Sequence, residues 1–189
     1  MDKSELCSEI LKLMREQRHD FVNHLQVVLG YLQLKKTGLA AEYIKQKNVE
    51  MQQFSLQTRC GSPYLEAVMQ ISLHKSRSMG IELSFQVGDN VAIEHQHSEA
   101  IIDQIFFITV LALEVVNRQR DEEKWIMISL EENNENISGR LNLPPMLSQE
   151  NSDYLFNRLK QENLTAMMNI KGEKLPDQIV INFQISKNK

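Results

Sequence analysis

Cysteine is scarce in this chain: Cys7 and Cys60 are the only two among 189 residues. Two thiols so far apart form neither a disulfide framework nor a paired metal-ligand spacing, so both are expected to be packing or surface thiols in a reducing compartment. Long hydrophobic runs are also missing. The most apolar stretch, Ile101 to Val116, is interrupted by polar side chains and falls short of the roughly 18 to 20 residues that cross a bilayer. The start, MDKSELCSEI, has neither the basic opening nor the apolar core of a secretory signal, so a cytoplasmic chain with no membrane partner is expected. Positive charge is not in excess: 21 Lys and Arg against 25 Asp and Glu give a net charge of -4, which argues against a nucleic-acid partner. There is no Gly-x-Ser-x-Gly elbow, P-loop or zinc pattern of paired cysteines. A sequon at Asn136-Ile-Ser138 has no meaning for a chain that never meets the glycosylating enzyme.

Apolar residues at 42% and charged residues at 24% are those of a folded globular protein. From Ser4 to about Lys36 there is no proline, Gly30 is the one glycine, and Ile10, Met14, Phe21, Leu25, Val28 and Leu32 recur at helical spacing. This predicts one long amphipathic helix. Thr37-Gly38 reads as its stop, and Leu39 to about Thr58 as a second helix through Tyr43, Ile44, Met51 and Phe54. So short a connection makes an antiparallel hairpin, whose apolar stripe has too few partners in one chain. A homodimeric four-helix bundle covers it.

Cys60-Gly61-Ser62-Pro63 marks a boundary, with Ser62 as N-cap and Pro63 at the first helical position. Residues 1–60 are therefore expected to form a dimerisation hairpin and 61–189 a second domain. In the latter, Tyr64–Met79 reads as a helix ended by Gly80, Ile81–Val87 as a strand, Glu99–Val116 as a helix and Trp125–Leu130 as a strand. Asn133–Gly139 reads as a polar turn, Asp153–Glu162 as a short helix, and Ala166–Ile170 and Gln178–Ile185 as strands around a Gly172 turn. The expected class is α+β: a helical hairpin followed by a small α/β sandwich with helices on one side of a mixed sheet.

On a helical wheel at about 100° per residue, Lys12, Arg15, His19, Asn23, Gln26 and Gly30 line up opposite the apolar stripe. His19 then faces solvent from mid-helix, and its basic and polar surroundings suit an acidic partner. A histidine on a helix surface is ordinarily without function. What distinguishes this one is its setting: Arg18-His19-Asp20-Phe21-Val22-Asn23-His24-Leu25-Gln26, then Leu29-Gly30 and Leu32-Gln33-Leu34. This run resembles the Arg-His-Asp-x-x-Asn-x-Leu-Gln phosphoacceptor helix of the sporulation initiation phosphotransferase B family and of related citrate- and dicarboxylate-type sensor histidine kinases.

The resemblance implies that His19 is phosphorylated by the acyl phosphate of a response-regulator receiver domain. Arg15 and Arg18 would steer the incoming charge, although Arg18 leans toward the dimer side, and Asp20 would orient the imidazole or fix its tautomer. Asn23 would hydrogen-bond the partner, and Lys12, Arg15, Gln26 and Gly30 would form the docking surface. The second half resembles the same family's degenerate ATPase-like domain. Aligned through its Ala-x-Glu-x-Val ending, which matches at Ala112 and Glu114, the helix Asp103–Val116 carries Phe107 and Leu111 where a kinase has magnesium-binding asparagines. Gly139 is the sole glycine between Val91 and Lys171, so no glycine-rich phosphate loop can be drawn.

The resulting expectation is a phosphorelay transferase moving phosphoryl groups between receivers through His19, in sporulation initiation by family analogy. It uses no ATP and binds no cofactor, the magnesium being held by the receiver. The alternatives are a diverged ATP-dependent sensor kinase fragment and a non-catalytic receiver-binding protein with His19 inert. His95-Gln96-His97 lacks a third metal ligand, and His74 and His24 read as packing or capping residues.

Overall fold

The computed structural model describes residues 3–88, 91, 93, 98–119, 123–133, 136–145, 149–161, 168–175 and 178–186. Helix α1 runs Lys3–Gln33 and α2 Thr37–Thr58. The chain divides into two compact units, Met1–Gln57 and Thr58–Lys189.

In the first unit, α1 ends before Thr37-Gly38. Lys35 adopts a left-handed φ of 56°, Lys36 N–H bonds back to Tyr31 C=O at 2.9 Å, and Ala40 N–H bonds to Lys36 C=O, so Lys36 already caps α2. The turn thus falls on Leu34–Lys36 and Gly38 lies inside α2, correcting the expected stop. The glycine signal misleads here because a lysine takes the left-handed position. Between the helices, His24 Nδ1 and Tyr43 Oη share a hydrogen bond of 2.7 Å, and the Tyr31 and Tyr43 rings meet at 6.3 Å. His24 is thereby a packing residue, as expected.

The second unit opens with α3, Pro63–Ser78; Ser62 Oγ accepts from Leu65 N–H at 3.3 Å and Pro63 takes the first turn, as the boundary motif predicts. Gly80, at φ 66°, turns the chain into β1, Glu82–Val87. Then come α4 (Ser98–Asn117), β2 (Trp125–Glu132), β3 (Asn136–Leu143), α5 (Gln149–Gln161), β4 (Met168–Lys174) and β5 (Ile179–Ser186). The strands form one mixed sheet in the order β1-β2-β3-β5-β4, parallel between β1 and β2 and antiparallel elsewhere. Leu83, Phe85, Ile126, Ile128, Leu130, Ile137, Leu141, Ile181, Phe183 and Ile185 are buried, with polar residues alternating between them. The class is α+β, as expected.

Two expected turns are strands instead. Asn133–Gly139 contains the start of β3, whose outward positions Asn136, Ser138 and Arg140 hide the strand signal. Gly172 lies within β4, paired with Ile181, and the connection to β5 is closed by Leu175 N–H to Gln178 C=O at 2.8 Å. Both glycines make room for rings. A Cβ at Gly139 would land in the ring of Phe183, with Cε1 at 2.6 Å and two further ring atoms closer still; a Cβ at Gly172 would land in the ring of Phe156 on α5.

Candidate functional site

The site is built on α1, where absence of proline and a single glycine let 31 residues stay helical. Mid-helix backbone is rigid, so a side chain there has a fixed base. His19 projects from it with its side chain 75% exposed. Its Nδ1 lies 3.2 Å from Asn23 Nδ2, one turn on, and 3.6 Å from Asp20 Oδ1. Nδ1 is thus engaged from two sides by its own helix, while Nε2 has no partner among the described residues. An imidazole held at one nitrogen by its own helix presents the other to solvent.

The remaining expected site residues sort by side of the helix. Lys12, Arg15 and Gln26 are exposed and Gly30 is half-buried, all within about 40° of His19 at 100° per residue. Nothing lies within 4 Å of the space a Gly30 side chain would take, so this glycine keeps the surface low without any packing need. Arg18 is exposed but lies about 100° around the helix from His19, on the side of Leu11, Met14, Phe21 and Leu25. The structure thus brings Asp20 and Asn23 to the imidazole and holds Arg18 away from it. Tyr43, the His24 partner that anchors α1 to α2, escaped the sequence reading; its one signal was the apolar spacing of α2.

In the second unit, Phe107 is half-buried and Leu111 buried on α4, so neither position offers a ligand to magnesium or phosphate. Gly139 is occupied structurally by Phe183. Tyr64 Oη donates to Asp103 Oδ1 at 2.6 Å, joining α3 to α4. Burial foremost, and this carboxylate next, push the Tyr64 hydroxyl above its ordinary value of 10.0. Arg118, just past the end of α4, stacks over the Tyr154 ring of α5 at 4.4 Å. Cys7 is exposed and Cys60 half-buried, both free, and burial pushes the Cys60 thiol up. His74 lies half-buried on α3, and His95-Gln96-His97 lies outside the described residues. Among the described residues no three His, Cys, Asp or Glu side chains converge to hold a metal ion, and no helix is long and apolar enough to cross a membrane.

Comparison with known proteins bears on both units. Among solved structures, the histidine kinase AdeS of Acinetobacter baumannii is 13% identical, with 90% of this chain and 98% of that chain covered at a TM-score of 0.49. Histidine kinase ThkA in complex with the response regulator TrrA is 13% identical over 98% of this chain and 64% of that chain, with a TM-score of 0.44. A histidine kinase from Burkholderia phymatum is 11% identical over the whole of both chains, at 0.43. Likenesses this weak carry no functional information. No curated protein sequence matches the chain. Residues 1–60 match the family model of the sensor kinase SpoOB-type alpha-helical domain. That stretch bears Arg18-His19-Asp20 and Asn23, and the match supports their resemblance to the sporulation initiation phosphotransferase B family.

Proposed function

We propose that this chain is a phosphorelay histidine phosphotransferase, which takes a phosphoryl group from the aspartate of one receiver domain onto His19 and passes it to the aspartate of another. The observation that carries this reading is the exposed His19, tethered through Nδ1 and open at Nε2, in a domain of SpoOB type.

The chemistry follows from the tether. Attack by Nε2 needs its lone pair, so the proton of the neutral ring must sit on Nδ1, where the Asp20 carboxylate, 3.6 Å away, attracts it electrostatically. Asn23, after a half-turn of its amide, presents Oδ1 to the same N–H. The Nε2 lone pair forms the bond to phosphorus as the bond to the receiver's aspartyl oxygen breaks, and that carboxylate leaves with the electron pair. The imidazolium formed is balanced by Asp20 and by the phosphoryl charge. Return to a second receiver runs the same step backwards. Phosphoryl transfer has a loose transition state that asks mainly for in-line placement and charge neutralisation; Lys12 and Arg15, on the His19 side, supply positive charge from this chain. Magnesium belongs to the receiver's acidic residues.

Two further parts support the reading. Thirteen large apolar side chains of the hairpin, from Leu11 to Met51, are 40–66% exposed in the single chain. Five of them, Leu11, Met14, Phe21, Leu25 and Leu32, share one side of α1 at 100° per residue, an apolar stripe that a second copy would cover, so two hairpins pair into a four-helix bundle with His19 on its outside. With Phe107 and Leu111 at the asparagine positions and Gly139 beneath Phe183, the second unit is kept for structure and docking rather than ATP. By family analogy, the relay served is that of sporulation initiation. The reading is tested by mixing the protein with a radiolabelled phospho-receiver and magnesium: acid-labile label is expected on the wild type and absent from His19→Ala, and no label on either from any receiver would refute it.

A further inference from the structure

Positions 11, 14, 18, 21, 25, 28 and 32 of α1 follow alternating steps of three and four residues, the spacing of a coiled-coil seam. Six are apolar: Leu11, Met14, Phe21, Leu25, Val28 and Leu32. Five of these are between 48% and 59% exposed, while Val28 is half-buried. The seventh is Arg18. At 100° per residue it lies within about 40° of the mean direction of the seam, against about 100° from His19. Its neighbours three and four residues away are Met14, Arg15, Phe21 and Val22, so its own helix offers the guanidinium no carboxylate one turn above or below.

We infer that Arg18 is the specificity-determining polar position of the dimer seam. A second copy of this chain covers the seam and carries the guanidinium into it without a compensating charge from its own helix. The inference rests on the dimer of the proposed function and deepens it. An isolated charge at one such position lowers the affinity of a helical pair while restricting its register, because other alignments bury the charge among apolar side chains. The occupant is a second copy because the stripe has the self-complementary spacing of a bundle seam over three heptads and continues onto α2 at Ile44 and Met51. The placement also removes Arg18 from phosphate steering, which passes to Lys12 and Arg15. The weak level of the seam then lies one residue from the phosphoacceptor.

The test is sedimentation equilibrium of the full chain as wild type, Arg18→Met, Arg18→Leu and Arg18→Lys. Met and Leu hold a helix as well as Arg, and the position is exposed in the single chain, so the apolar variants keep their fold. The wild type is expected to be a reversible dimer, both apolar variants to lower its dissociation constant by about tenfold or more, and Arg18→Lys to stay within about threefold of it. If the wild type is a dimer and neither apolar variant tightens it, or if Arg18→Lys tightens it equally, the role given to Arg18 is wrong while the dimer stands. A wild type still fully dimeric at nanomolar concentration overturns it too, since the charge would then cost nothing measurable. A wild type that stays monomeric throughout overturns both this inference and the dimer.

Discussion

Replacing Gly139 by alanine puts one methyl group where the Phe183 ring already is. The added Cβ would stand 2.6 Å from Phe183 Cε1 and nearer to Cζ and Cε2, while carbon atoms in ordinary contact are about 3.5 to 4 Å apart. Phe183 is 2% exposed and paired in register with Gly139 across β3 and β5, so its ring has no solvent side into which to swing. Overpacking of this kind costs about 1 to 3 kcal/mol, occasionally more. The entropy gained by stiffening the unfolded chain returns only about 0.4 to 1 kcal/mol. We expect Gly139→Ala to destabilise the second unit by about 1 to 2 kcal/mol, read from urea unfolding by the fluorescence of Trp125, the sole tryptophan, on β2. Phe183→Leu alone should cost about 1 to 2 kcal/mol for the lost ring. In the double variant the shorter side chain makes room for the methyl, so the combined cost should fall short of the sum by about 1 kcal/mol or more. If the two costs add within about 0.5 kcal/mol, the ring is not what requires glycine there, and the argument that Gly139 serves packing rather than a phosphate fails.

Three further outcomes follow from the same geometry. Gly172→Ala should be destabilising in the same assay and relieved by Phe156→Leu, since that ring occupies the same space on α5. The raised Tyr64 hydroxyl means that the folded state holds this proton more tightly than the unfolded one. Its contribution is therefore full below pH 10.0 and lost as pH rises past it; Tyr64→Phe should lower stability at neutral pH and flatten the decline above pH 10.0 in alkaline urea titrations. Asp20→Asn should slow single-turnover label transfer to His19 by about a hundredfold, by removing the negative charge that balances the imidazolium formed, with receiver binding by calorimetry unchanged; an unchanged rate would remove Asp20 from the chemistry.

How legible the molecule was depended on whether a signal was local. Ser62-Pro63 forecast the start of α3 because a cap and its proline act within one turn. The exposure of His19 followed from the period of α1, since one helix fixes the direction of each side chain. The three misplaced turns share a physical cause. At Gly38, Gly139 and Gly172 a glycine was read as a backbone break, yet Gly38 is helical while the other two answer rings at Phe183 and Phe156, 44 and 16 positions away by subtraction of residue numbers. No local pattern reports such a distant side chain. β3 was hidden likewise, as Asn136, Ser138 and Arg140 face outward and only pairing with β2 and β5 makes the segment extended. Within the site, Asp20 was expected beside the imidazole, whereas Asn23, expected to meet the partner, instead reaches His19 Nδ1, and the His24–Tyr43 bond, joining two helices, needed the fold.

The central claim is that phosphate reaches His19 from a receiver and not from ATP. The most direct measurement compares label acquired from a phospho-receiver with label acquired from γ-labelled ATP, both with magnesium, followed by chase of the labelled protein with a second, unphosphorylated receiver. Label from the receiver alone, absent in His19→Ala and discharged to the second receiver without nucleotide, is the predicted result. Label acquired from ATP would contradict the account and make the chain a kinase.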